Sequence, residues 1–401
     1  MKKYTTKLFN LKGVIIDKVD VKKDVLIYVR NPRRWAQCPL CGISSRKIHQ
    51  RKQRKVKHGI LNEKEVFLMV LVRRFKCKKC SKPFTEKHIP GVSRKRHTKQ
   101  LQKSVLKDLV SSSFKSVSER YNISSPALLG FLKDHKSEPL WPDKGEIILN
   151  VDEHSYSGRD MKISIGDYSN KNLLFVLPDA KQSSLISFLK NMPKDVKKRV
   201  SEVCIDMHQG YLKAIKTELP KARVVVDKFH VIKELQRQTD EIRRILQPQG
   251  KRGQRRINRF LLLKNREDLS KKEMFLLKSV FAEYKNFPSL YRCWWVKEKM
   301  REIYRCKKYE TAKKKLDQLI CLLEQENVGK LKEVKNTLKR WRPYILNYFY
   351  NKTTNAFIEG CHNKIKLIKR VSFGFRNFEN YVLKITLAFL PFLFLSDNLA
   401  H

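Results

Sequence analysis

GEIILNVDEHSYSGRDMKISIGDYSNKNLLFVL, residues 145–177, decides how the rest of the chain is read. Three apolar runs, Glu146–Val151, Met161–Gly166 and Asn172–Leu177, are short, rich in Ile, Val and Phe, and separated by turn-forming residues. That is the pattern of three successive strands. Two further runs follow at Val200–Ile205 and Arg223–Val226, with helical spacing near Ser183–Asn191 and Tyr211–Glu218 between them. Three hairpin-like strands followed by strand–helix alternation give an α/β mixed sheet with helices on its faces.

The apolar run ending at Val151 delivers Asp152 at its C-terminal end, and Val203-Cys-Ile205 does the same for Asp206. Carboxylates at the ends of neighbouring strands converge on one place. Phosphodiester chemistry uses such convergence to hold two divalent ions roughly 3.5–4 Å apart. Mg²⁺ is bound through oxygen, mostly waters plus one or two carboxylates. A lone strand-end Asp is more often a cap or turn residue; the pair on a basic chain makes the case for a metal site. A third acid is expected from a helix. In TTNAFIEGCHNKIKLIKR, residues 353–370, Ile358, Cys361, Ile365 and Ile368 share one face. Asn355, Glu359, Asn363, Lys366 and Arg370 share the other, and Glu359 is the only acid of the stretch. Glu359 is either a salt-bridge partner of its basic neighbours or a metal ligand among phosphate-binding residues.

Outward from this core, charge sets the partner class. Lys and Arg number 88 against 39 Asp and Glu, a formal charge of +49 on 401 residues. Small soluble domains are usually kept near a net charge of ~2–8. A long polyanion rewards such an excess, because each neutralised phosphate releases counterions. The start MKKYTTKLFN has no apolar stretch of a secretory signal. The longest apolar run, Ile385–Leu395, is too short for a bilayer and contains Pro391, so it reads as a buried terminal helix and no membrane is expected.

Nine cysteines include two tight pairs, Cys38-x-x-Cys41 and Cys77-x-x-Cys80. Each pair supplies two thiolates from one turn, and two such turns close a tetrahedral Zn²⁺ site with no open position. His49, His58 and His88 are weaker candidates for the same role. This usage points to a reducing, cytoplasmic compartment. Arg33, Arg34, Arg73, Arg74, Lys78 and Lys79 flank the knuckles as a phosphate-contacting surface. Residues 1 to about 37 alternate as strands, and Val66–Val72 supplies strand between the pairs. Leu101–Val110, Val117–Tyr121 and Pro126–Asp134 read as three short helices, with Ser124 or Ser125 as cap, matching a helix-turn-helix or any small helical bundle. Pro139–Pro142 reads as a linker. From Phe229 to about Tyr350 the chain is helical and basic and holds Trp294, Trp295 and Trp341. Trp294 or Trp295 is a candidate for contacting DNA or stacking on an unpaired base, against the alternative that both are core residues of the helical stretch.

These segments in this order resemble the ISL-three family of bacterial insertion-sequence transposases. The resemblance is carried by CPLCG…CKKC, VDEHSY, CIDMHQGY, VVVDKFHVIKELQ, TTNAFIEGCHNKIKLIKR and FGFRNFENY, and it covers nearly the whole chain. It implies an RNase H-like mixed sheet split by an all-α insertion and preceded by a zinc ribbon and a helix-turn-helix. It implies that Asp152, Asp206 and Glu359 form an Asp-Asp-Glu triad holding Mg²⁺ or Mn²⁺. It further implies that Asp227 and His230 are an Asp-x-x-His signature close by, with Asn355 supporting the triad. The expected domains are a zinc-binding DNA-binding domain (1–92), the helix-turn-helix (93–140), the catalytic domain (141–229), the helical insertion (230–350) and the last catalytic helices (351–401). Lys364, Lys366, Lys369 and Arg370 would hold DNA phosphates. The implied activity is metal-dependent cleavage and strand transfer at terminal inverted repeats of double-stranded DNA. A homo-oligomer would do this on DNA at the bacterial nucleoid. The alternatives are a DNA-binding regulator with a non-catalytic sheet domain, or a plain nuclease.

The charge generates a first expectation. In an anisotropy titration, affinity for duplex DNA falls by about 10³–10⁵ between 50 and 200 mM salt, as ~6–10 phosphate contacts require; a nearly flat titration contradicts a phosphate-binding chain.

Overall fold

The hydrophobic pattern of the first ninety residues has period two, and the chain responds with strands. The computed structural model describes residues 9, 11, 13–86, 96–134, 141–247, 257–324 and 329–389. His88, part of the 139–142 linker and residues 390–395 of the terminal apolar run lie outside them. By its internal packing the chain divides into two units, residues 1–138 with 365–401, and residues 139–364.

In the first unit, β1 (Ile15–Val21) pairs antiparallel with β2 (Val25–Arg30). The short β3 (Ala36–Gln37) and β4 (Ser44–Ser45) close the first cysteine knuckle. A long hairpin follows, β5 (Ile48–Leu61) against β6 (Lys64–Lys76), with β2 parallel to β6 and β7 (Pro83–Thr85) beside its end. The hairpin turns through Asn62 and Glu63, both at positive φ, the backbone twist that matches a two-residue hairpin loop. Ile27, Leu68 and Val56 are fully buried between the strands, so alternate positions of β2 and β6 face one small core.

Then come α1 (Lys99–Ser111), α2 (Phe114–Tyr121) and α3 (Ser125–Asp134). Thr98 Oγ1 accepts from Leu101 N at 3.2 Å and Ser113 Oγ from Ser116 N at 3.0 Å, so both N-termini are capped. Asn122 takes the left-handed conformation that ends α2 and turns the chain into α3. Leu101, Val105, Leu109, Val117, Leu128 and Leu132 form the core of this helical group.

The second unit carries a five-stranded sheet: β8 (Ile147–Ser157), β9 (Asp160–Asp167), β10 (Asn172–Val176), β11 (Val200–Ile205) and β12 (Arg223–Val226). Its order is β10-β9-β8-β11-β12. The first three strands form an antiparallel meander, and β11 runs parallel to both β8 and β12. All five expected strands form. β8 continues through Asp152 to Ser157, six residues beyond the end expected at Val151, because its outer half stays paired to β9. β11 and β12 are buried almost along their length, as parallel strands covered by helices are. The covering helices include α4 (Gln182–Lys190), α5 (Lys194–Arg199) and α6 (Gln209–Glu218).

From α7 (Lys228–Leu246) onward the described residues up to 351 contain no strand: α8 (Arg259–Leu263), α9 (Lys271–Glu283), α10 (Pro288–Tyr304), α11 (Tyr309–Leu322) and α12 (Gly329–Asn351). α10 runs through their middle, and Lys297 at its centre is fully buried. Its ammonium donates to the carbonyls of Leu262 at 2.8 Å and Lys264 at 3.0 Å and pairs with Glu298 at 2.8 Å, so the buried charge is satisfied. α12 packs on β12, where Asn347 Nδ2 donates to Val224 O at 2.8 Å. α13 (Ala356–Val371) crosses the division between the units.

The next helix, α14 (Phe378–Phe389), packs on α1 and α3 of the first unit, with Leu387 in their core. Buried Lys384 donates to Ser112 O at 2.6 Å and to Ser372 Oγ at 2.8 Å, and burial lowers its amine to about 8. Of the apolar run Ile385–Leu395 expected as a buried helix, residues 385–389 fall in α14 and the rest lies outside the described residues; its neighbours were not foretold, since that choice rests on contacts distant in sequence.

Candidate active site

Parallel pairing fixes where the acids fall. Asn150 on β8 faces Cys204 on β11, and Cys204 faces Val225 on β12. Two residues further on each chain stand Asp152, Asp206 and Asp227. In-register parallel strands advance together, so these three aspartates form one row at the end of the ladder, neighbours about 4.8 Å apart. Asp227 is buried, Asp152 nearly so, and Asp206 is half-buried.

Asp227 also stands at the N-cap position of α7, without a side-chain capping bond, which places His230 one turn further on. His230 Nδ1 lies 2.9 Å from Asp206 Oδ1 and 3.1 Å from Asp227 Oδ2. Ligating atoms of Asp152, Asp206 and His230 all lie within 4.8 Å of one another. Burial alone would lower the imidazole's pKa, but hydrogen bonds to Asp206 and Asp227 and the charge of Asp152 raise it to about 10. Burial, then the charge of Asp206, pushes the Asp152 carboxyl up to about 7. This donor set of two carboxylates and one imidazole fits a divalent ion.

The chain from Asn351 to Asn355 is tied to the same strands. Buried Glu202 on β11 accepts from Asn351 Nδ2 at 3.0 Å and from Thr353 Oγ1. Asn355 then reaches all three: Nδ2 donates to Asp206 Oδ1 at 3.3 Å and to Val151 O at 3.4 Å, and its backbone N–H to Asp227 Oδ1 at 3.4 Å. Its Oδ1 accepts from Asn150 Nδ2 at 3.0 Å. Gly166 on β9 makes room for the start of α13. A Cβ there would stand 3.0 Å from Ile358 and 3.2 Å from Phe357. Further along α13, His362 Nδ1 lies 3.7 Å from Asp152 Oδ2, and its ring is 5.0 Å from that of His154. His154 Nδ1 in turn bonds Ser164 Oγ at 2.8 Å.

Glu359 stands four residues after Asn355 and three before His362, on the helix face that carries both. Its carboxylate is exposed and outside the group formed by Asp152, Asp206 and His230. Asn355 was legible from its face of the helix. His362 and His154 were missed: a histidine followed by Asn and Lys gives no sign of facing a strand two hundred residues away.

In the first unit the four cysteine sulfurs also gather. Cys38 and Cys80 are 3.6 Å apart, Cys41 and Cys77 3.4 Å, Cys41 and Cys80 4.0 Å, and all four lie within 4.8 Å. Tetrahedral zinc–thiolate bonds of ~2.3 Å require sulfurs about 3.8 Å apart, so the set fits structural zinc. Backbone N–H groups of Cys80 and Lys79 stabilise the Cys77 thiolate and lower it to about 6, the state a metal needs. His58 bonds Thr98 Oγ1 and Phe9 O instead, and His49 does not join the cluster.

Of the expected DNA-contacting residues, Arg33, Arg34, Arg74, Lys364, Lys366 and Arg370 are exposed, and Lys369 is half-exposed. Arg73 is not available: it is buried, paired bidentately with Glu86 at 2.7 and 3.0 Å, and it also donates to Arg33 O at 2.6 Å. That pair fastens β6 to the second knuckle. Arg30, Arg34, Arg46 and Arg51 line a hollow of about 630 Å³ beside Trp35, with Arg73 in its wall. Trp294 is likewise unavailable, its indole 6% exposed within the helical core against Phe281. Trp295 packs partly buried against the same core. An exposed aromatic beside the acids is Phe229, 56% exposed, its ring edge-on to that of His230 with centroids 5.6 Å apart.

Residues 149–385, more than half of the chain, match the family model described as Transposase. Residues 34–80 match the one described as the zinc-finger of transposase IS204/IS1001/IS1096/IS1165. The class is therefore transposase, an enzyme class that acts on DNA. Within it the chain belongs to the ISL-three family of insertion-sequence transposases, as its motifs foretold. It is 24% identical over 380 residues to the transposase for insertion sequence element IS1001 of Bordetella parapertussis, covering 92% of this chain and 93% of that protein. It is 24% identical over 256 residues to the transposase for IS1557 of Mycobacterium tuberculosis, 57% of each chain. No helix among the described residues is long and apolar enough to cross a membrane.

The sulfur geometry predicts one tightly held zinc per chain by elemental analysis of the purified protein. Cys77→Ser lowers that stoichiometry well below one and exposes the 34–80 region to protease. A zinc-free wild-type protein with an intact ribbon contradicts it.

Proposed function

We propose that this protein is an Asp-Asp-Glu transposase with an RNase H-like catalytic domain. It cleaves the ends of its insertion element and joins them to target DNA. The observation that carries the reading is the in-register placement of Asp152 beside Asp206, with His230 against them. The strand order, an antiparallel meander extended by two parallel strands, supports the fold assignment.

Asp152 and Asp206 would hold the divalent cations, Mg²⁺ or Mn²⁺, with Glu359 as the third acid. Bound cations supply Lewis-acid stabilisation of the attacking and leaving oxygens. The protein's own groups do the positioning. His230 holds Asp206 and Asp227 in line, and Asn355 orients Asp206 while tethering α13 to the sheet. Support for Glu359 is its place on the helix between two residues that reach the row. Its exposed carboxylate then has freedom to swing toward the acids once their charge is neutralised. The four-cysteine ribbon, α1–α3 read as a helix-turn-helix, and the basic surface of α13 would bind the element's ends. Lys364, Lys366, Lys369 and Arg370 follow Glu359 in the sequence of that helix and would supply phosphate contacts, and orienting a bound phosphate lowers the barrier to attack.

Two measurements test this. Asp206→Asn and Glu359→Ala each abolish cleavage of an element-end duplex while end binding stays within a few-fold of wild type; a Glu359→Ala protein that still cuts removes Glu359 from the set. Divalent-ion affinity also depends on pH. In the metal-free protein the Asp152 proton leaves at about pH 7, so below that pH the ion must displace it. Mn²⁺ titrated calorimetrically from pH 5.5 to 8 then loses up to about tenfold more affinity per unit below pH 7 than above it. Asp152→Asn abolishes that extra steepness, and a profile without a break near pH 7 contradicts the assignment.

A further inference from the structure

A cleft of about 730 Å³ opens at Asp206 and His230 and runs along α7, walled on its other sides by α8 and α12. From His230 the lining face of α7 continues through Lys233, Arg237, Asp240 and Arg244, steps of three or four residues that keep one face of a helix. At ~1.5 Å per residue, this face extends about 20 Å from the acids. Beyond the catalytic end, the lining holds five cations, Lys233, Arg237, Arg244, Arg259 and Arg340, against two acids, Glu234 and Asp240.

The two acids are already engaged. Glu234 is paired with Arg237, and Asp240 with Arg243, Arg244 and Arg259. Arg237 is spent in turn, its guanidinium bonded to both Glu234 and Glu241. Lys233 and Arg340 are exposed, line the cleft, and have no ion-pair partner among the described residues. Lys233 stands one turn from His230, and Arg340 faces the cleft from α12 beside Thr337.

We propose that this cleft binds a single strand of DNA leading to the acid row, with Lys233 and Arg340 as its phosphate contacts. A volume of this order encloses a drug-sized molecule, a few nucleotides of one strand, and is too narrow for a duplex. Charge graded from acids at one end to cations along the walls suits a backbone whose reacting phosphate sits at the acidic end. Such grooves bind strands by tracking the backbone with positive charge. The strand would be one freed from pairing beside the cleavage point. The proposal rests on the reading of Asp152, Asp206 and Glu359 as the cleaving set.

The test uses the full chain and a fluorescent six-nucleotide oligothymidylate, titrated across salt without added divalent ions. Each single-strand phosphate contact contributes about 0.7 to the slope of log affinity against log salt. Lys233→Gln with Arg340→Gln therefore reduces the slope by about 1.4. An oligonucleotide carrying 5-iodouracil cross-links to residues 228–246 or 337–341 in wild type and loses those adducts in the double variant. An unchanged slope, or adducts confined to residues 33–80 and 99–134, overturns the proposal. Both substituted side chains are exposed, so the fold stays intact, which circular dichroism verifies. Asp206→Asn is assayed alongside for cleavage of an element-end duplex. If it still cuts, the catalytic reading fails, whatever the oligonucleotide shows. If it is dead while the double variant binds oligothymidylate as wild type does, the cleft assignment alone fails.

Discussion

Three aspartates in one row across three parallel strands are the constraint on which the second unit turns. Register alone puts Asp152, Asp206 and Asp227 side by side, and the strands cannot separate without breaking the sheet. Adjacent unit charges at strand spacing repel by about 3 kcal/mol at an effective dielectric of ~20. The fold answers that repulsion in three ways. His230 is held as a cation between two of the acids, Asp152 retains its proton near neutral pH, and Asn355 donates to Asp206 and Asp227. The first two are the responses that a bound cation would replace.

Much of the surrounding architecture follows from holding that row. α7 begins directly after Asp227, which stands at its N-cap position and whose carboxylate turns to His230 one turn in. α13 starts where it does because Thr353 and Asn351 are anchored to buried Glu202, while Gly166 leaves space for Phe357 and Ile358 against the sheet. The helices between residues 228 and 351 bury Trp294, Trp341 and Lys297 in their own core. They also complete the cleft that begins at the row.

The other unit solves a different problem. Among the described residues the knuckle region's core is small, with Cys38, Phe75, Cys77 and Phe84 buried in it. A core of that size gains most from a metal closing the four-cysteine cluster. The buried Arg73–Glu86 pair locks the second knuckle to β6. Breaking either partner would strand a buried charge, which makes Arg73 a structural residue despite its place in a basic run.

The sequence by itself determined what depends on local spacing: the two C-x-x-C turns, the five strands of the second unit's sheet, the helical run after Phe229, and Asn355 on Glu359's side of its helix. These are settled within a few residues, by period two, period 3.6 or the reach of one turn. It did not reveal β5, because Ile48–Leu61 is mostly basic and its strand is dictated by pairing with β6. Nor did it tell which of several arginines was spent, or that a tryptophan amid lysines was core. Only the tertiary structure decided those, together with the approach of His362 to Asp152, the packing of α14 on α1 and α3, and the open cleft beside His230. Each depends on which distant segment fills the space opposite a residue. A one-dimensional pattern carries the face of an element but not the identity of what covers it.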